Sequence, residues 1–167
     1  NDKNLGKGGS IKKAIDLSLG KYIVIFDLDE YLSKDLIKAD TILTDNNQID
    51  FLVGTRLRHQ KKFIYKKNYY GVRILSMLIN FLYNTNISDA AGATKIFKRD
   101  IFKNFEYFTN GFDFEFEVLC KFAKNGYKIS EFPIEYFPRS YSEGKKLRAF
   151  KDGSFILKTI LKNYFTK

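Results

Sequence analysis

Two aspartates, Asp27 and Asp29, follow an apolar run, and their type and spacing could hold a metal ion. The run spans residues 22–26 and reads YIVIF, a short β-branched pattern typical of a strand buried on both faces of a sheet. Carboxylates at i and i+2 after such a strand can converge on one hard cation. Mg²⁺ or Mn²⁺ prefers such oxygen ligands and usually shares them with phosphates. The alternative is a strand-terminal aspartate followed by a helix cap, and the apolar run favours the metal site.

The charge of the chain points to a polyanionic partner. Its 167 residues include 29 Lys and Arg against 19 Asp and Glu, a net charge of +10. Seven basic residues and no acidic residue lie in 56–73, and eight basic residues against two acidic ones lie in 139–167. Nucleic acid, anionic lipid headgroups and sugar diphosphates would all suit this excess. The alternative is that both segments form solvated basic faces.

The scarcity of cysteine and histidine excludes several kinds of site. Cys120 is the only cysteine, so an internal disulfide is impossible and a reducing compartment is indicated. His59 is the only histidine, which excludes a zinc site built from His and Cys. His59 also lies in a basic segment without a nearby acid, which disfavours a Ser-His-Asp triad.

Alternating helices and strands predict a single α/β domain over residues 1–167. Helices are predicted at 10–19, 33–43, 71–84, 112–124 and 149–165, the first two capped by Ser10 and Ser33. Strands are predicted at 22–26, 50–54, 95–97 and 127–136. Ligands of such sheets bind beyond the carboxyl ends of the strands, where Asp27, Asp29 and Arg56 fall. No stretch approaches the ~18 apolar residues of a membrane span.

The ordered motifs resemble glycosyltransferase family 2, in particular its dolichyl-phosphate mannose synthase, or polyprenyl-phosphate, branch. A glycine-rich stretch leads into a helix, and a strand ending in D-x-D follows. The matching segments are NLGKGG at 4–9, DLD at 27–29, VGTR at 53–56, DAAGATKIFKR at 89–99, GFDFEFE at 111–117 and GYKISEFPI at 126–134. The segment 139–145 is similar to the branch's Arg-x-x-Gly-x-Ser-Lys, but Ser142 and Gly144 stand in exchanged positions. The resemblance covers nearly the whole chain.

This resemblance implies a GT-A-like fold, a mainly parallel sheet flanked by helices. It also implies an inverting transfer of a sugar from a nucleotide diphosphate sugar to a polyprenyl phosphate or a related glycan acceptor. Mg²⁺ or Mn²⁺ on Asp27 and Asp29 would stabilise the charge of the departing diphosphate. A lipid phosphate is already anionic and needs no strong base, whereas a hydroxyl acceptor would need one, for which Asp113 or Glu115 is the candidate.

The resemblance also assigns the basic side chains and a location. The candidates for binding the donor diphosphate are Lys7, Arg56, Arg139 and Lys145. The candidates on the acceptor side are Arg73, Asp89 and Lys95. We expect a cytoplasmic protein in peripheral contact with the anionic face of a membrane through the basic segment 56–73, without a nucleic-acid partner.

A complete enzyme of this type begins with a further strand–helix–strand unit that carries a Pro-x-x-Asn-Glu stretch, and these 167 residues do not contain it. We therefore expect an N-terminally truncated fold with part of the donor pocket missing and an exposed sheet edge. The isolated chain would turn over poorly or not at all, and would tend to aggregate.

Two other functions fit parts of the sequence. Residues 25–29, IFDLD, resemble the first motif of haloacid dehalogenase-type phosphatases, in which the first aspartate is the nucleophile. That motif normally continues with Gly and Thr or Val, whereas Glu30 and Tyr31 follow here. A non-catalytic nucleic-acid-binding domain could use the 11 Tyr and 17 Phe as stacking platforms. Most of these aromatic residues have core-like spacing, and no recognised binding motif is present.

Overall fold

A computed structural model describes residues 4–27, 33–56, 66–92, 94–137 and 149–166. Six helices and four strands lie in these ranges. The helices are α1 (Gly6–Leu17), α2 (Lys34–Asp45), α3 (Lys66–Tyr83), α4 (Arg99–Lys103), α5 (Phe114–Lys124) and α6 (Ala149–Phe165). The strands are β1 (Tyr22–Ile25), β2 (Phe51–Thr55), β3 (Lys95–Lys98) and β4 (Ile129–Pro133).

The four strands form one mixed sheet in the order β1-β3-β2-β4. Strand β3 runs antiparallel to both of its neighbours, with Lys95 opposite Ile25 on one side and Val53 on the other. Strands β2 and β4 pair in parallel, with Thr55 opposite Pro133. Three of the four strands therefore point the same way, and the start of β3 lies at the edge where they end.

Apolar side chains cover both faces of the sheet because neighbouring strand residues point to opposite sides. Phe51 and Val53 join a cluster with residues of α3, α5 and α6 on one face. Leu52 points the other way and packs with Ala39 and Leu43 of α2. The fold is therefore a helix–sheet–helix sandwich, in agreement with the predicted α/β class.

The structure corrects several details predicted from the sequence. Strand β1 is not buried on both faces, because Val24 is 48% exposed. Ser10 caps no helix, since α1 begins four residues earlier, and Ser33 precedes α2 without a side-chain capping bond. Helix α3 begins five residues earlier than predicted and ends before Asn84, which adopts a left-handed conformation.

The other boundaries shift by smaller amounts. Helix α6 keeps its predicted bounds, α5 begins two residues later than predicted, and β4 occupies only the middle of the predicted strand at 127–136. Residues 57–65 of the basic segment lie outside the described residues. No helix within the described ranges is long and apolar enough to cross a bilayer.

Candidate active site

Asp27 lies two residues beyond the end of β1, where its carboxylate retains access to solvent. Its side chain is 30% exposed, and the Lys7 ammonium lies 3.1 Å from Oδ2 and 3.3 Å from Oδ1. The carboxylate therefore already contacts one cation at the carboxyl edge of the sheet. Asp29, the expected second metal ligand, lies outside the described residues.

Glycines at the start of α1 bring Lys7 to this position. A Cβ on Gly6 would lie 2.5 Å from the carbonyl oxygen of Asn110, and one on Gly8 would lie 2.5 Å from Cβ of Phe114. Gly6 also has a φ of 73°, a conformation that favours glycine. The Gly8 N–H donates to the same carbonyl of Asn110 at 2.8 Å. The glycine-rich stretch thus lets the first turn of α1 pack tightly against the start of α5.

Glu115, in the first turn of α5, links two lysines. Its Oε1 lies 2.6 Å from the Lys7 ammonium, and its Oε2 lies 3.0 Å from the Lys95 ammonium. Lys95 also donates to the carbonyl of Gly92. Burial opposes ionisation of Glu115, but the charges of Lys95 and Lys7 outweigh it and hold its pKa below the ordinary value. Burial likewise works against the charge of Lys7, and the carboxylates of Glu115 and Asp27 raise the pKa of Lys7 overall.

Arg56 and Asp89 form a two-point ion pair directly after β2. The Arg56 Nε and Nη2 each donate to one carboxylate oxygen of Asp89 at 2.8 Å, and the Arg56 backbone N–H donates to Oδ2 at 3.0 Å. The guanidinium carbon lies 5.1 Å from the centre of the Tyr136 ring. Asp89 is fully buried, which opposes ionisation, yet Arg56 and the more distant charge of Lys95 lower the pKa of Asp89.

Two further features fix the loop that carries Asp89. The Glu131 carboxylate of β4 accepts hydrogen bonds from the backbone N–H groups of Ser88 and Asp89, at 2.8 and 3.0 Å, and from the Ser88 hydroxyl. The loop also crosses β2 so closely that a Cβ on Gly92 would lie 2.0 Å from the carbonyl oxygen of Gly54. Gly92 is therefore required by its contact with the backbone of β2, whereas a Cβ on Gly54 would meet the side chains of Ile134 and Thr94, at 2.8 and 2.9 Å.

Six charged residues form a row along this edge of the sheet, which we call the ion-pair row. In spatial order they are Arg56, Asp89, Lys95, Glu115, Lys7 and Asp27. The signs alternate, so the row is neutral in sum. Exposure of the side chains rises from 0% at Asp89 and 1% at Lys95 to 30% at Asp27, the most exposed of the six. The middle of the row, from Asp89 to Glu115, is buried, and its acidic end at Asp27 is the most accessible part.

All six members were candidate site residues from the sequence, and the remaining candidates lie elsewhere. Asp113 accepts a hydrogen bond from the Thr159 hydroxyl of α6 at 2.8 Å, and Arg73 is exposed on α3. Arg139 and Lys145 lie outside the described residues. Asp89 and Lys95, expected on the acceptor side, are buried in ion pairs, so direct contact with an acceptor would require the row to open.

The oxygen donors at the end of the row suit a hard divalent cation. Within the described residues, no three acidic, cysteine or histidine side chains cluster as a complete metal site. Asp27 supplies a partly exposed carboxylate, and carboxylate oxygens are the donors that Mg²⁺ and Mn²⁺ prefer. Asp27 could therefore supply one oxygen ligand to such an ion.

Sequence reasoning did not include Glu131 or Tyr136 among the site residues. Glu131 was noticed only as part of the Glu-Phe-Pro-Ile stretch. The available signal was its position on a strand whose partner, β2, leads directly to Arg56. For Tyr136, which lies beyond the end of β4, nothing in the local pattern distinguished it from the other aromatic residues.

Comparison with known proteins identifies the family. The family model described as glycosyl transferase family 2 matches residues 1–105. The chain belongs to glycosyltransferase family 2. This membership confirms the resemblance found in the motifs and favours a transferase over the phosphatase and nucleic-acid alternatives.

Among the relatives in this family, the glycosyltransferase AglJ of Haloferax volcanii is 26% identical over 154 residues, which are 90% of this chain and 50% of AglJ. A dolichyl-phosphate hexose transferase of the same organism is 28% identical over 162 residues, covering 94% of this chain and 67% of that protein. The chain spans half or less of three Haloferax relatives, at 50%, 36% and 26% of their lengths.

Comparison with solved structures confirms the fold. Glucosyl-3-phosphoglycerate synthase from Mycobacterium tuberculosis in complex with phosphoglyceric acid superposes with a TM-score of 0.70 at 15% identity, covering 97% of this chain and 56% of that one. A complex of the same enzyme with Mn²⁺, UDP and phosphoglyceric acid gives 0.71 at 13% identity, with 97% and 55% covered. At this level of identity the likeness concerns the fold, which is GT-A-like as expected.

Proposed function

We propose that this chain is the diphosphate-handling and acceptor-facing part of an inverting, metal-dependent glycosyltransferase. It would move a sugar from a nucleotide diphosphate sugar to a polyprenyl phosphate. The observation that carries the proposal is the accessible Asp27 carboxylate at the end of the ion-pair row, whose middle is buried. Support also comes from the family, from the dolichyl-phosphate hexose transferase among its relatives, and from a related fold crystallised with Mn²⁺ and UDP.

The residues of the row would act mainly by holding charge in place. Asp27 and Asp29 would bind Mg²⁺ or Mn²⁺, which neutralises the negative charge that grows on the diphosphate as the glycosidic bond breaks. Lys7 would then remain on Glu115, 2.6 Å away, and keep a positive charge beside the metal-binding carboxylate. Arg56, Arg139 and Lys145 stay candidates for further contacts to the diphosphate.

The state of Glu115 supports a phosphate acceptor over a hydroxyl acceptor. A general base must be able to take a proton, but both oxygens of Glu115 face ammonium groups and its pKa is lowered. Asp113, the other candidate base, accepts from Thr159 instead of joining the row. A polyprenyl phosphate already carries the negative charge of a nucleophile, so no base is needed. The reaction would then occur at the cytoplasmic face of a membrane, where such a lipid is found.

Calorimetric titration of GDP and UDP tests the donor site. With Mn²⁺ present, the wild type should bind at least one nucleotide, and chelation of Mn²⁺ or the change Asp27→Asn should weaken binding by about tenfold or more, because the metal bridge is lost. Asp40→Asn, which removes an exposed aspartate of α2, is the matched control and should bind as the wild type does. Binding that persists in Asp27→Asn without metal would refute the metal site.

A comparison of two acceptors tests the nucleophile. The chain, joined to the strand–helix–strand unit that complete members carry, should transfer sugar to a polyprenyl phosphate but not to the corresponding polyprenyl alcohol. Equal transfer to both lipids would mean that a base operates, and would contradict the role given to Glu115. Release of phosphate from a simple phosphoester, with covalent trapping at Asp27, would instead indicate phosphatase chemistry.

A further inference from the structure

Helix α3 is apolar on two opposite sides. Its inner side carries Ile79 and Tyr83, which are buried against the core. Its outer side carries four large apolar residues at spacings of four, three and four, which fall in one line on a helix. They are Tyr70, Ile74, Met77 and Phe81, with exposures of 63%, 66%, 63% and 85%. We call these four residues the outer stripe.

An outer stripe of this kind indicates a covered surface. Single exposed apolar residues are common on soluble proteins and need no explanation. A continuous line of four exposed apolar residues on one helix is different. A helix with apolar residues on opposite sides is normally covered on both of those sides. Something outside the described part of the chain is therefore expected to cover α3.

The charge of α3 itself indicates which kind of surface covers the stripe. Helix α3 contains no acidic residue, and Arg73 is exposed between Tyr70 and Ile74. The segment 56–73 holds seven basic residues and no acid. An apolar stripe on a helix whose charged residues are all basic is typical of helices that lie in the headgroup region of an anionic membrane. A standard protein interface would need about 20–30 residues on each side, more than one helical stripe supplies.

The inner side of α3 is bonded to the loop that carries Asp89. The Asn80 amide donates to the carbonyl of Ile87 at 2.9 Å and accepts from the Ile87 N–H at 2.8 Å. The Ser76 hydroxyl accepts from the N–H of Ala90 at 2.9 Å. A surface that rests on the outer side of α3 is therefore one helix diameter from the site loop.

We infer that the outer stripe of α3 inserts into the headgroup region of a membrane that contains anionic lipids and so holds the ion-pair row beside its lipid acceptor. The inference rests on the proposed function, because a polyprenyl phosphate acceptor must be reached at a membrane surface. The positive charge of α3, which has no acidic residue, attracts the anionic membrane, and the apolar stripe supplies the buried area.

Flotation with vesicles tests this surface. The wild type should float with vesicles of phosphatidylcholine mixed with phosphatidylglycerol, and much less with phosphatidylcholine alone. Ile74→Glu should lower the bound fraction by about tenfold or more, and Ile74→Glu combined with Phe81→Glu should lower it further. Ile37→Glu is the matched control, since Ile37 lies on α2 with a similar exposure of 71%, and it should float as the wild type does.

Circular dichroism and thermal melting should show that all of these variants fold, because the changed side chains are exposed.

The inference is overturned if the wild type does not bind anionic vesicles, or if the double variant binds as well as the wild type. The nucleotide titration on the same samples separates the two proposals. If the wild type binds nucleotide but does not float with anionic vesicles, only the membrane role of the outer stripe is overturned. Stripe-dependent flotation without nucleotide binding leaves the surface standing and overturns the donor site.

Discussion

Glu115 is the residue on which the charge balance of the site depends most. Its carboxylate separates two ammonium groups, those of Lys7 and Lys95, and all three side chains are at least three-quarters buried. A buried ion pair contributes little compared with an apolar pair, but removal of one partner leaves a charge without compensation. The loss of Glu115 would leave the buried Lys95 without its carboxylate partner and would leave Lys7 with Asp27 alone.

We therefore expect Glu115→Gln to lower the free energy of unfolding by about 3–5 kcal/mol. The matched control is Glu135→Gln, which breaks an ion pair of similar length, 2.7 Å to Lys34, between side chains that are about half exposed. That change should cost less than about 1 kcal/mol, because water screens exposed pairs. Urea denaturation measures both values, and equal losses in the two variants would contradict the buried role of Glu115.

Asp89 should contribute to the acid sensitivity of the protein. Its pKa is lower in the folded chain than the ordinary value of about 3.9, so the folded state binds fewer protons than the unfolded state. The resulting stability is present above that ordinary value and is lost as the pH falls through the folded-state pKa. The difference in unfolding free energy between wild type and Asp89→Asn should be large at neutral pH and shrink below about pH 4. A difference that does not change with pH would show that Asp89 is not held ionised by Arg56.

Among the connections between elements, the crossing of β2 and the Asp89 loop is the tightest. Gly92→Ala would put a Cβ into the backbone of Gly54, so we expect a loss of about 1–3 kcal/mol or more and a displaced loop. Gly71→Ala is the control, since a Cβ there meets nothing within 4 Å and alanine favours the helix by about 0.5–1 kcal/mol. Thermal melts of both variants test this, and an unchanged melting temperature in Gly92→Ala would contradict the close approach.

The helices and strands were predictable where local pattern and burial agree. Helix α6 keeps its predicted bounds because its apolar positions recur at helical spacing along its whole length. The start of α1 was missed because its glycines disfavour a helix locally, and only their contact with Asn110 and Phe114 explains them. The exposure of Val24 could not be predicted either, because an apolar run does not distinguish an edge strand from a central strand.

The site was predictable in its members but not in its pairing. Positions beyond strand ends indicated Asp27 and Arg56, and the family motifs supplied Lys7, Asp89, Lys95 and Glu115. The sequence does not reveal that Lys7 bonds Asp27, twenty residues away, or that Arg56 is held by Asp89. The pairs form because the chain returns twice to the edge where β1 and β2 end. The packing of α1 against the start of α5 brings Lys7 there, and the loop before the antiparallel β3 brings Asp89.

The reactivity of the single cysteine reports whether the core of the molecule stays closed. Cys120 is fully buried in the cluster on the α5 side of the sheet, and burial raises the pKa of its thiol to about 12. Only the thiolate reacts rapidly, so a thiol reagent should label the folded chain about a thousandfold or more slowly than the chain in urea. Fast labelling in native buffer would mean that the core opens locally around α5.

Alternating charge along the ion-pair row constrains how related sequences can diverge. A substitution at one member leaves the charge of its neighbour buried and unpaired. Replacement of both neighbours together by apolar residues changes the free energy of unfolding little. Lys95 and Glu115 should therefore be inherited as a couple, and so should Arg56 and Asp89. Asp27, at the accessible end, is the member that can change its partner, from an ammonium group to a metal ion, without leaving a buried charge behind.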